Sequence, residues 1–185
     1  MMPGRLPPLP PEQLSPAQAQ VADAILAGPR HSLGGPFQAW LRSPVLAERL
    51  QKLGEYVRFD NVLPRRLSEF AILITARHWT AQFEWYAHHP LALAAGLDPA
   101  LADAVAEDRV PANMQADEQA VHDFATQLHR TGRVDDAAYA AALAAFGEQG
   151  VVDLVALCGY YTMVAMTLNV AEVAVPGGAL PLATR

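Results

Sequence analysis

The stretch "VVDLVALCGYYTMVAMTLNVAEVAV", Val151 to Val175, limits the fold more than any other. It contains neither proline nor a basic residue, and it is long enough to span a bilayer. Such a segment is either a membrane span or a helix sunk into a core or an interface. Asp153, Asn169 and Glu172 interrupt it, and the basic flank that marks a membrane span is missing on both sides. A buried core or interface helix is therefore expected, with no membrane partner. A helix of that length needs other helices or a sheet to cover it. No segment alternates apolar and polar residues with β-branched enrichment, so the covering elements are expected to be helices.

Their ends are marked by short polar and proline signals. Ser15-Pro16 opens a helix that Gly28 closes, and Ser43-Pro44 opens "SPVLAERLQKLGEYVR". Asp98-Pro99 starts a short helix, with a shorter one before it in "HPLALAAG". "ADEQAVHDFATQLHRTG" is amphipathic and stops at Gly132; an alanine-rich helix follows, closed by Gly147 or Gly150. "LSEFAILITARHWTAQFEWYAHH", Leu67 to His89, reads as one long helix ended by Pro90. The expected architecture is all-α: a single-domain bundle of about eight helices over residues 16–185, preceded by a proline-rich extension over 1–15.

The formal net charge of -6 and the lack of a basic cluster argue against a nucleic-acid partner. One cysteine, Cys158, excludes an internal disulfide, a CxxC redox pair and a cysteine-based zinc site. The N-terminal stretch has no apolar core of a signal peptide, so a cytoplasmic location is expected.

The Leu67–His89 segment carries more ionisable groups than an apolar helix needs. At about 100° per residue, Glu69, Arg77, Glu84 and His88 fall on one face. Glu84 and His88, at i and i+4, are expected to meet. Glu69 lies beyond direct reach of His88 on such a continuous helix. Phe70, Ile72, Leu73, Ile74, Trp79, Phe83, Trp85 and Tyr86 leave little circumference for water. Carboxylates there are expected to be desolvated, as acid–base catalysts often are. A surface Glu/His pair of little energetic consequence is the plainer alternative.

At these residues the text "LSEFAILITARHWTAQFEWYAHHPLALAAGLDPALADAV" resembles the carboxymuconolactone decarboxylase family, which includes the alkylhydroperoxidase D-like proteins. The likeness covers roughly residues 45–110, and the last long helix resembles one branch. It implies an alkylhydroperoxidase D-like bundle that assembles as a homodimer, trimer or hexamer. Glu69 matches the family glutamate and His88 the family histidine. The two redox cysteine positions hold Ala81 and Glu84, so thiol peroxidase activity is not expected. The decarboxylase branch implies a cofactor-independent acid–base enzyme, a decarboxylase, lyase or relative, acting on a small organic acid or lactone. Glu69, Glu84 and His88 are its expected catalytic residues. Arg77 would anchor a substrate carboxylate, or else pair with Glu84. Phe37 and Trp40, beside the Gly34-Gly35 turn, would wall a pocket, or else belong to the core; Tyr160, or its neighbour Tyr161, would reach that pocket from the last helix. No cofactor and no resident metal are expected. Two alternatives stand beside this reading: a metal enzyme built on Glu84 and His88 with a third ligand from His122, His129 or a neighbouring subunit, and a non-catalytic binding member.

Overall fold

Ser15 begins the first helix with a reciprocal cap: its Oγ accepts from the Gln18 amide, and the Gln18 side chain accepts from the Ser15 amide. The computed structural model of the chain describes residues 4–184, so residues 1–3 of the proline-rich extension and Arg185 lie outside the described residues. Eight α-helices and no strand occur among the described residues. They are α1 (Pro16–Ala27), α2 (Phe37–Trp40), α3 (Pro44–Glu55), α4 (Arg65–His78), α5 (Gln82–Ala94), α6 (Pro99–Ala106), α7 (Ala116–Thr131) and α8 (Asp136–Ala171). The all-α expectation holds. The rest of the extension runs over the surface with one 3₁₀ turn, Pro11–Gln13, and is tied down by Leu9 N–H to Gln38 and by Arg42 to the Pro7 carbonyl.

Helix α4 is the axis of the bundle and packs against α5, α7 and α8. Every residue from Leu67 to Arg77 is buried. A helix covered on all sides has no polar face, so angular position on it says little about access to solvent.

Three expectations about boundaries change. The Leu67–His89 segment is two helices, not one. It breaks at Trp79–Ala81, where Thr80 takes a left-handed conformation (φ 47°) and the Ala81 amide bonds back to the Ala76 carbonyl. Asn169 from α8 donates to the Trp79 carbonyl at 2.9 Å, so a polar interruption of the apolar run caps the broken end. Pro90 does not end α5, which continues to Ala94 because its next turn buries Ala92 and packs Leu93 on the core. "HPLALAAG" is therefore the end of α5 rather than a separate helix. Gly147, at φ 69° and ψ -179°, interrupts α8, but the helix resumes through the apolar run.

The resumed half of α8 has two faces. Leu154, Leu157, Cys158, Tyr161, Ala165 and Leu168 are buried; Val152, Val155, Met166 and Val170 are exposed. By length and composition α8 is apolar enough to cross a membrane, yet 56% of its most apolar window is buried within the bundle, so core packing alone accounts for most of that hydrophobicity.

Candidate active site

The break between α4 and α5 makes the site. It turns α5 back along α4, so Glu69 near the start of one faces His88 in the other. His88 Nδ1 lies 2.7 Å from Glu69 Oε2, and both side chains are buried. A continuous helix would have kept them apart; the expectation that Glu69 is out of reach is overturned. Arg65 stands 3.9 Å from the other Glu69 oxygen. With Nδ1–H donated to Glu69, Nε2 is the ring nitrogen left to accept a proton. The expected Glu84–His88 hydrogen bond is not made. Glu84 is buried, and neither of its carboxyl oxygens has a hydrogen-bond partner.

Glu84 and His88 line a cavity of about 230 Å³. Glu69 stands behind His88 rather than on the wall. Phe37, Phe83, Val164 and Leu168 supply apolar surface, and Tyr160 and Tyr161 close the side formed by α8. The Gly34-Gly35 turn borders the cavity as expected; Gly35 is left-handed (φ 65°), and a Cβ there would stand 3.3 Å from the Phe83 ring. Trp40 is not on the wall. It donates to Thr167 Oγ1 at 3.0 Å and packs edge-on behind Tyr160 and Phe37, because its indole N–H must be satisfied once buried.

Two cations complete the cavity: Arg30, from the loop after α1, and Arg58, from a π-helical turn at Tyr56–Asp60. Arg30 lies over the Phe37 and Phe59 rings, and Arg58 over Phe59. Neither makes an ion pair among the described residues, and Arg30 Nε and Nη2 and Arg58 Nε are buried without a hydrogen-bond partner. Gly54 makes the room: any Cβ there would collide with the Tyr160 hydroxyl and Arg30 Nη2.

Burial dominates the proton affinities. It raises the Glu84 carboxyl well above the ordinary carboxylate range. It lowers the His88 imidazole; the Glu69 hydrogen bond and charge oppose this, and Arg58 and Arg30 add to the lowering. Burial also pushes the Tyr160 hydroxyl up to about 12 and Tyr161 higher still. Burial thus favours the uncharged form of both groups, a neutral imidazole and a protonated carboxyl.

No family model matches this chain. No curated protein matches it either.

Arg77 does not serve this cavity. It lies at the far end of α4, where its Nη1 donates to the Ala183 carbonyl at 2.9 Å, and it borders a separate cavity of about 60 Å³ with His78, His122 and His129. The break between α4 and α5 places Arg77 and Glu84 at different cavities, so neither the substrate-anchor nor the Glu84-pairing role fits. His122 and His129 share that second cavity and cannot complete a metal site at Glu84 and His88; among the described residues no three His, Cys, Asp or Glu side chains converge as ligands. Cys158 is buried and its thiol is pushed up to about 12, which keeps it unreactive. The sequence pattern does not point to Arg30 or Arg58. Arg30 sits in an aperiodic loop and Arg58 in a π-turn that resembles the end of α3. The π-turn itself, common at functional sites, is a structural signal that sequence periodicity does not carry.

Proposed function

We propose that this chain is a cofactor-independent acid–base enzyme acting on a small organic acid or lactone, of the lyase or decarboxylase kind that its resemblance to the carboxymuconolactone decarboxylase family implies. One observation carries the reading: a buried histidine, hydrogen-bonded to a buried glutamate, opens on a cavity that also holds a second buried carboxyl without a hydrogen-bond partner. His88 is the general base, accepting a substrate proton at Nε2. Glu69 fixes its tautomer and stabilises the imidazolium that forms. Glu84 is the general acid, delivering its proton to an oxygen or carbon on the opposite side of the substrate. Glu69, rather than the Glu84 expected to meet it, serves His88. The half-buried cations Arg30 and Arg58 replace Arg77 as the anchor for the acid group.

The test is proton exchange. A panel of small carboxylic acids and lactones is incubated with the protein in D₂O and followed by NMR. Wild type should exchange a C–H beside the carbonyl, or release carbon dioxide, with at least one of them, and His88→Ala should not. A panel untouched by wild type, or processed equally by His88→Ala, contradicts the reading.

The exposed stripe Val152, Val155, Met166 and Val170 on α8 supports the expected homo-oligomer. Light scattering should give a multiple of the 19.9 kDa chain mass; a stable monomer contradicts assembly.

A further inference from the structure

We propose that the cavity selects a monoanion with a single planar carboxylate on a body about one ring in size, held by Arg30 and Arg58. This deepens the acid–base reading above and rests on it for the identity of the site.

Size comes first. An apolar cavity of about 150 Å³ holds one benzene molecule. The 230 Å³ here holds one ring and a carboxylate, and leaves little for a second substituent of that kind. The lining sorts the two ends. Phe37, Phe83, Val164 and Leu168 offer nothing to a charge, whereas Arg30 and Arg58 present three buried nitrogens with no acceptor among the described residues. Shielded guanidinium nitrogens without an acceptor are costly, and a planar oxyanion matches the guanidinium fork. Gly54 points to the same end, because its missing side chain is what admits Arg30 and the Tyr160 hydroxyl together.

Shape and space set the number. The two guanidinium groups form one polar end of the cavity. A second negative charge on the ligand would have to sit against the apolar wall or beside the buried, unpartnered Glu84 carboxyl. Glu84 instead suits a neutral carbonyl or hydroxyl on the ligand.

The experiment uses calorimetry on the full chain at pH 8 with three probes of similar shape: benzoate, neutral benzamide, and dianionic phenylphosphonate. Benzoate should bind saturably, benzamide about tenfold more weakly or worse, and phenylphosphonate no more tightly than benzoate. Arg58→Gln and Arg30→Gln should each cost benzoate about tenfold and leave benzamide unchanged. Arg58→Lys keeps the charge and loses the fork, so it should bind benzoate with intermediate affinity and serves where Arg58→Gln does not fold. Equal affinity for benzamide, tighter phenylphosphonate, no saturable benzoate binding, or insensitivity to the folded arginine variants each overturns the proposal. His88→Ala should retain benzoate while losing proton exchange, so failure of the anion site and failure of the acid–base reading give different results.

Discussion

Helix α4 has a histidine-bearing cavity on either side of it, and the two differ in one respect. At the far end Thr75 donates to the Ala71 carbonyl and accepts from His129 Nε2 at 2.8 Å, His129 stacks on His78, and Arg77 holds the C-terminal tail. These polar groups are engaged in holding helices together. At the other cavity Arg30, Arg58 and Glu84 keep buried polar atoms that the fold does not satisfy. Polarity alone does not distinguish the two ends; satisfaction does. A fold that gathers most of its unmet buried side-chain donors and acceptors around one space carries an arrangement that packing does not explain.

The largest effects should separate the two cavities by activity. With a substrate from the exchange screen, His88→Ala should lower kcat by roughly 100-fold or more, and Glu84→Gln by a similar factor. His129→Gln should leave kcat within about twofold, since His129 serves packing. Equal losses at both ends would erase the distinction.

Stability against pH should separate them next, with opposite signs. Folding lowers the His129 imidazole to about 4 through burial and the nearby His78. The unfolded chain then binds the extra proton first, so stability falls as pH drops from about 6.5 toward 4. The loss is up to about 3 kcal/mol at 1.36 kcal/mol per pH unit, and His129→Gln should remove it. The Glu84 carboxyl is raised, so the folded state keeps a proton that the unfolded state releases. Its penalty begins as pH rises above about 4.5, and Glu84→Gln should become progressively more stabilising from there upward. Urea melts between pH 4 and 8 read both slopes. A Glu84→Gln difference that does not grow with pH contradicts a protonated Glu84.

The smallest effect belongs to Cys158, which is buried beside neither arginine nor His88. Cys158→Ser should leave any activity unchanged, and the wild-type thiol should react with a disulfide reagent only on unfolding. Rapid labelling of the native protein contradicts its inert placement.

The sequence made the helices legible, because Ser15, Asp98, Gly132 and the proline signals act locally. It also singled out Glu69, Glu84 and His88. How they pair was not legible: the pairing depends on Thr80 adopting a left-handed conformation that a β-branched residue disfavours, stabilised by Asn169 from 90 residues away. Arg77 stood at the right helical angle and at the wrong end of the corner. Arg30 lay in a loop without periodicity, where only tertiary packing beside Gly54 gives it a place.

The most direct measurement is the protonation of His88 by side-chain NMR with ¹⁵N-labelled histidine. His88 should carry its proton on Nδ1, leave Nε2 bare, and titrate below the ordinary histidine range; Glu69→Gln should disturb that tautomer while Glu84→Gln leaves it in place. An Nε2-protonated ring that titrates like an exposed histidine and ignores Glu69→Gln would contradict this assignment.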